Sequence, residues 1–488
     1  YVWARQATTG GQVHMWGGDD LTTHPASNKE NFRDFDRFNA SELNTRLQQE
    51  WLMLYRIIRC SNYIINNAGR LNGADARLNE RVKTTIAQAH YWRAFSYHQL
   101  LYCWGDVPLI LDDVVNYNEP LAPKEQIMEQ VIIDLKKAET DLPVNWTGIP
   151  WSKNGMNILV SEGAAKATLA YVYLSYAGWP YNKTEYYAQA AAKAKEVIDG
   201  SSEPGFGNGK YYYKMLDEYQ HVHSIEYNDK HTEVLLATYA VATQEMFMAA
   251  MCNIPEDYQG GGWNDVSAEI KFWKNFPEGP RKEATFAPKT LLNSGLQDWW
   301  YDPNYGTPDA RKVCSPWYLA VAEAQGKEFD WTKSFRDQGV TYYGVKSHKT
   351  IRLSEVFCWY AEATGRSGQV TPHAIQAINA VRNRADGEQT NRYSGITSPE
   401  ELAEAGYNEH GWEIAGYMWG SLAPRYHDMF RMHRCKEHFE DRVKNEPIEV
   451  APGVFRKELV PVEGTWSDDR LWAPYPANDA KLNPNLHR

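Results

Sequence analysis

The sequence predicts a mostly α-helical protein, a scaffold of tetratricopeptide-like helix pairs interrupted by a long, irregular, loop-rich insertion with a few short strands. Three observations carry this. Apolar residues at helical spacing dominate about 41–200 and return over about 350–440. Two small-residue helix pairs, far apart in the chain, repeat one design. Between them, about 201–349 is rich in Gly, Pro, Trp, Tyr and Asn, the residues of turns and loops. The whole of 1–488 is read as one domain, closed by a loop-like, proline-rich segment at 446–488.

The elements follow in order. Glu50–Asn67 and Ile86–Trp104 carry dense apolar and aromatic positions, and Gly105-Asp106-Val107-Pro108 stops the second. From Pro123 to Pro143, Ile127, Val131, Leu135, Ala138 and Leu142 form one apolar stripe. Pro123 and Glu125 suit its first turn and Pro143 ends it. Glu162–Ala177 and Tyr186–Ile198 are joined by Gly178–Asn182, and Ala164, Ala167, Ala170, Ala188, Ala191 and Ala194 let the two helices approach closely. In the insertion only Glu233–Tyr239 reads as a strand. Ile351–Thr364 and Pro372–Ala385 then repeat the paired design. An irregular stretch as long as 201–349 in a compact protein is usually functional.

Composition removes several classes. With 43% hydrophobic and 23% charged residues the chain can bury a core without metal or disulfide. A net charge of −11 with no basic stripe argues against nucleic acid. No run is long and apolar enough to span a membrane. Cys60, Cys103, Cys252, Cys314, Cys358 and Cys435 show no paired spacing and read as structural. Tyr1 opens directly into what reads as domain interior, so the true start is expected upstream.

Catalytic motifs are wanting. Gly205–Lys210 (GFGNGK) lacks the strand–loop–helix setting of a phosphate cradle. His221 and His223, and the group His427, His433 and His438, lack metal-ligand spacing; the latter group, near Arg425, Asp428 and Arg431, reads as a polar network supporting the final helices. There is no G-x-S-x-G elbow. Of the carboxylates, Asp19-Asp20 and Asp265 are best placed for sugar chemistry. Neighbouring side chains such as Asp19 and Asp20, however, cannot readily flank one glycosidic bond from opposite sides. The expectation is therefore no catalytic residue, no metal and no cofactor.

The 19 tryptophans and 31 tyrosines are the positive signal, because several cluster among glycines and prolines. Gly260–Trp263, Trp299–Pro303 and Trp179–Tyr181 are such clusters. A loop aromatic offers a broad apolar face with a polar edge, the chemistry that recognises flat-faced ligands such as sugar rings.

Five stretches, spread over nearly the whole chain, resemble the SusD/RagB family of Bacteroidetes outer-surface nutrient-binding lipoproteins. AQAHYWRAFSYHQLLYCWGDVPLIL (Ala87–Leu111) resembles the family's Arg-Ala-aromatic helix and Gly-Asp-Val-Pro-Leu turn. VSEGAAKATLAYVYLSYAG (Val160–Gly178) is similar to its alanine-rich helix. IRLSEVFCWYAEA (Ile351–Ala363) and AINAVRNRA (Ala377–Ala385) resemble the pair that follows the variable insertion. LWAPYPANDAKLNPNL (Leu471–Leu486) resembles the closing segment with its proline-flanked strand. Gly411–Phe430 departs from the family's Glu-Arg-rich element, which bears on local packing.

The resemblance implies a SusD-like helical fold and a non-enzymatic role. It implies attachment to the outer membrane, facing the exterior, by an N-terminal lipid anchor upstream of Tyr1. It also implies delivery of captured oligosaccharide or polysaccharide to a TonB-dependent, SusC-like transporter. Peptide uptake, as in RagB-like branches, is the first alternative and glycoside hydrolysis the second; a tetratricopeptide adaptor is a third. Family ligand residues vary too much to transfer, so the ligand set is chosen from this chain's own loops. It comprises Trp16, Asp19 and Asp20 of the N-terminal loop and Trp263, Trp273, Trp299, Trp300 and Tyr305 of the insertion. The tryptophans would stack on pyranose faces and the carboxylates would hold hydroxyls. Adjacent side chains often point apart, so the competing expectation puts one of Trp299 and Trp300 inside. Trp92 and Trp104 are assigned to the core.

Overall fold

The computed structural model describes residues 16–23, 30–114, 116–146, 152–153, 155–228, 230–238, 266–287, 289–292, 295–301, 316, 318, 330, 332–333, 347–416 and 421–486. Its long helices start where a side-chain oxygen can satisfy the free amides of a first turn. After the short α1 (Glu30–Asp36), Asn44 accepts from the Arg46 and Leu47 amides and opens α2 (Thr45–Asn67). Asp75 opens α3 (Ala76–Trp104) in the same way, and Gly105, at φ 68°, ends it. In α4 (Lys124–Asp141) the expected stripe of Ile127, Val131, Leu135 and Ala138 is buried. Pro123 stands at its N-cap, just outside the first turn. The pair α5 (Glu162–Ala177) and α6 (Tyr186–Gly200) packs through small residues, with Ala164, Ala167, Ala170, Ala190 and Ala194 buried, while Ala188 faces solvent.

Helices pack in chain order, α2 on α3, α3 on α4, α4 on α5 and α5 on α6. Two short helices follow, α7 (Ile270–Asn275) and α8 (Pro280–Thr285). The scaffold resumes with α9 (Leu353–Arg366), α10 (Pro372–Asp386), α11 (Pro399–Glu413), α12 (Arg425–Arg431) and α13 (Cys435–Lys444). Because α9 packs on α6 as well as on α10 and α11, the array is continuous across the insertion. The strand expected at 233–239 forms as Val234–Thr238 and pairs antiparallel with His348–Arg352. The chain thus leaves the scaffold and re-enters it side by side. A second short pair, Leu21–Thr22 with Ser267–Ala268, fastens the N-terminal segment to the insertion. In the closing segment the expected proline-flanked strand does not form: residues 473–476 are irregular, set between a helical turn, Asp468–Leu471, and α14 (Ala477–Leu482). The nearest strands are the hairpin Ile448–Ala451 with Val454–Arg456.

Beneath the re-entry strands lies a set of buried charges. Arg352 reaches Glu233 at 3.1 Å and Glu413 at 2.8 Å. Arg384 of α10 pairs with the same two carboxylates. Arg281 of α8 bonds Glu409 at 2.7 Å and Glu413 at 3.1 Å. Burial works to raise the Glu233 and Glu413 carboxyls, but the facing guanidiniums outweigh it and hold both below the usual carboxylate range. A second set joins α9, α11 and α12: Arg431 bonds Glu362 and Asp428 at 2.7 Å, and His410 bonds Asp428.

The expected polar network supporting the final helices forms through Asp428 and Arg431, while the three histidines named for it take separate partners. His427 stacks flat on Tyr102 at 3.6 Å, His433 lies against Trp179, and His438 is 3.1 Å from Glu269. Among the described residues no His, Cys, Asp and Glu group could hold a metal, no helix could cross a membrane, and Cys60, Cys103, Cys358 and Cys435 are free thiols. Cys60 is exposed on α2, whereas Cys103, Cys358 and Cys435 are buried.

Where α9 and α11 cross, Gly406 lies against the backbone of Glu362 and Cys358, leaving no room for a Cβ. Gly406→Ala is expected to lower unfolding stability by about 1–3 kcal/mol through overpacking. Gly395→Ala, with open space at its Cβ, is expected to leave denaturant midpoints unchanged.

Burial alone would depress the His410 pKa, but Asp428 and Glu355 push it up to about 9, above its ordinary 6.5. Its contribution to stability is therefore complete below pH 6.5 and is lost as pH rises toward 9. Melts across this window should show a slope of up to ~1.4 kcal/mol per pH unit from this group. His410→Gln should abolish that component.

Candidate functional site

The Leu21–Thr22/Ser267–Ala268 pairing brings the two predicted ligand segments together. Glu269 follows at once as the N-cap of α7, and its amide donates to the Asp20 carbonyl at 3.4 Å. Helix α7 then divides two environments. Ile270 and Trp273, one turn apart, join a cluster with Trp299, Trp300 and Val450. Lys271 and Phe272 line a groove of about 420 Å³ shared with α11, α12 and α13.

In the cluster the Trp273 ring meets Trp299 edge-on at 4.9 Å, and Trp299 meets Trp300 edge-on at 5.3 Å. Trp299 is 1% exposed and forms the buried centre, whereas Trp273 and Trp300 are half-buried around it. The Lys282 ammonium lies 4.6 Å over the Trp273 ring, a cation–π contact that occupies one face. Arg456 donates to the Trp300 carbonyl at 2.7 and 3.0 Å and fixes the backbone on which that ring stands. Tyr301 beside it is exposed.

In the groove Arg425 makes a forked pair with Asp19, at 2.7 and 3.1 Å. Burial tends to raise the Asp19 carboxyl, but Arg425 holds it below the ordinary value. Asp20 is the opposite case: burial, reinforced by the Asp19 charge, pushes it up to about 8. The Tyr407 ring lies between Arg425 at 4.4 Å and Arg434 at 4.2 Å. Half-buried Trp412, buried Phe272, and the polar ends of Asn275, Asn408 and Glu437 complete the lining. Lys271 pairs with Asp441 at 2.9 Å across it. An apolar ring edge among alternating donors and acceptors is suited to a hydroxylated ligand.

The eight expected ligand residues therefore divide. Trp273, Trp300 and Asp19 are partly accessible, Asp19 with its oxygens already engaged by Arg425. Trp16, Trp299 and Asp20 are corrections: they are 0%, 1% and 2% exposed and offer no surface to solvent. Trp16 instead stacks on Phe32 at 5.1 Å, which its glycine neighbours in sequence gave no reason to expect. Trp263 and Tyr305 lie outside the described residues. Phe272, Asn408 and Trp412 were not anticipated, since each sits on a helix whose pattern reads only as core-facing or solvent-facing. The pair Asp19 and Asp20 does not form a hydrolytic dyad, because one is locked to arginine and the other is shut away from any substrate.

Comparison with known proteins agrees with this architecture. The profile described as "Starch-binding associating with outer membrane" (SusD-like) matches residues 17–174, and that described as "SusD family" matches residues 327–488. SusD-like protein P2 of Formosa agariphila is 29% identical over 367 residues, 72% of this chain. The chain spans 65% of that relative's length. A SusD homolog from Bacteroides thetaiotaomicron superposes with a TM-score of 0.75 at 18% identity, covering 99% of this chain and 93% of that one. A crystal structure with xylogluco-oligosaccharide superposes at 0.71 and 19% identity, covering 100% and 96%. With matches at both ends of the helical array, on either side of the insertion, and a shared fold throughout, the chain belongs to the SusD/RagB family.

Proposed function

We propose that this protein is a glycan-binding protein of the cell surface. In this reading it is held at the outer face of the outer membrane by a lipid anchor upstream of Tyr1. It captures oligosaccharide or polysaccharide and delivers it, chemically unchanged, to a SusC-like TonB-dependent transporter. The supporting observation is the half-buried pair Trp273 and Trp300, steadied by buried Trp299, beside the mixed polar and aromatic groove at α7. A fold relative whose structure carries a xylogluco-oligosaccharide supports a glycan as the ligand class. Trp300 and Trp273 would stack on pyranose faces, with Trp263 and Tyr305 of the same insertion as further contacts. Asp19 would serve through Arg425, which it orients.

Ring stacking of this kind contributes about 1–3 kcal/mol per platform, by analogy with base stacking. After ordering costs, a small number of platforms gives micromolar to millimolar affinity, suited to a protein that must release its cargo.

Affinity electrophoresis and calorimetry against a panel of neutral and acidic polysaccharides test this. One glycan should retard the intact protein, and Trp300→Ala or Trp273→Ala should each weaken binding about 5- to 150-fold while the variants remain folded by circular dichroism. Trp299→Ala should lower the melting temperature as well, since its ring is buried. Failure of every glycan, with oligopeptides binding instead, would replace this reading by peptide uptake.

A further inference from the structure

A second concave site lies on the helical side of the molecule, and none of its lining residues belongs to the tryptophan cluster or the α7 groove. It is a cleft of about 1130 Å³ between α10, with the loop that follows it, and the segment 203–220. Three of its properties specify a ligand.

The first is rigidity. On one wall Asn383 donates to Gln389 and Asn391 at 2.9 Å, and accepts from the Asn391 amide at 2.8 Å. Asn379 accepts from the Tyr393 amide at 2.9 Å. These two α10 side chains pin the loop 387–394 in place. On the other wall Glu203 accepts from the Met215 amide at 2.7 Å, and Tyr219 donates to the Glu413 carbonyl at 3.2 Å. The walls share a foundation: Glu233 accepts from the Leu216 amide at 3.1 Å and pairs with Arg384 of α10. A cleft whose walls are fixed before binding loses little entropy on filling.

The second is its amphipathic lining. The half-buried Phe206 ring and Ile375 give apolar contact, and the amides of Gln220, Gln376, Gln389 and Asn391 supply donors and acceptors. Rings with C–H faces and a rim of hydroxyls match that mixture.

The third is charge. Glu203, Asp217, Glu218 and Glu388 line the cleft; Asp217 is paired with Lys214 at 3.1 Å, while the one cation among its described lining residues, Arg384, is consumed by Glu233 and Glu413. A uronate or sulfate ester would meet Glu203, Glu218 and Glu388 with no free cation on the described lining to offset them.

We infer that this cleft is a second carbohydrate site, selective for neutral oligosaccharides over anionic ones. The inference rests on the glycan reading above and adds to it a substrate class and a second point of attachment. Two sites on one rigid body hold a long polysaccharide more tightly than either alone through effective concentration, and let one site release while the other retains.

The test uses the full chain with cello-, malto- and xylogluco-oligosaccharides as neutral probes and oligogalacturonate as the anionic one, by calorimetry. Gln376→Trp, at an exposed α10 position, fills the cleft, and Gln376→Ala trims it. A short neutral probe should bind at two sites per chain. Gln376→Trp should eliminate one and Gln376→Ala weaken it several-fold, with Trp300→Ala removing the other. A single site lost with Trp300→Ala and untouched by Gln376→Trp would overturn the second site and leave glycan capture standing. Binding of oligogalacturonate that Gln376→Trp abolishes would overturn the selectivity. No carbohydrate bound by the intact chain would overturn both readings together.

Discussion

The buried set of Glu233, Glu409, Glu413, Arg281, Arg352 and Arg384 is the constraint on which the rest depends. These three carboxylates and three guanidiniums balance in charge, Arg382 with its own partner Asp386 adjoins them at Glu409, and each comes from a different part of the chain or a different turn of helix. Taking such charges out of water costs nearly as much as their attraction returns, so the complete set adds little net stability. Removing one member, however, strands its partners in a dry interior. The consequence is positional specificity: α8, α10, α11 and both re-entry strands can come together only in the register that completes every pair. This is the work a uniformly apolar interface does poorly, because apolar contacts tolerate sliding.

From that fixed point the functional surfaces follow in steps. Arg281 places α8, and Lys282, its neighbour on α8, covers Trp273. The Glu269–Arg442 and Glu269–His438 contacts seat the start of α7 on α13. Asp19 and Arg425 join the N-terminal loop to α12. The half-buried tryptophans thus stand on a base of ion pairs, although their own contacts are aromatic.

Much of the scaffold was legible in the sequence because helical periodicity and terminating Gly and Pro are local signals, whereas the Asn44 and Asp75 caps start α2 and α3 well ahead of the expected Glu50 and Ile86. The stripe on α4 and the strand at 234–238 were visible for that reason. Exposure of a loop aromatic is not a local property. Trp16 beside two glycines looked like a displayed ring, yet Phe32 and the neighbouring core cover it. For Trp299 and Trp300 the alternation of adjacent side chains predicted that one would be inside, but only the cluster with Ile270 and Val450 decides which. The opposite fates of Asp19 and Asp20 depend on Arg425, a residue some four hundred positions away in sequence. The two-residue strands near the N-terminus and the helical turns of the closing segment are too short to leave a pattern.

The side-by-side exit and return at Val234–Thr238 and His348–Arg352 also bears on how such a protein can diversify. Once two chain ends are clamped together by a ladder and an ionic anchor, the entropy of closing whatever lies between them grows only logarithmically. Doubling the length of a flexible excursion costs about 0.6 kcal/mol. The scaffold therefore tolerates changes of length there, provided Glu269 and Arg281 still reach their buried partners. A socket of this kind separates heritable change in the loops from the risk of unfolding: the surface between those anchors can be varied at one address while the helical frame stays the same.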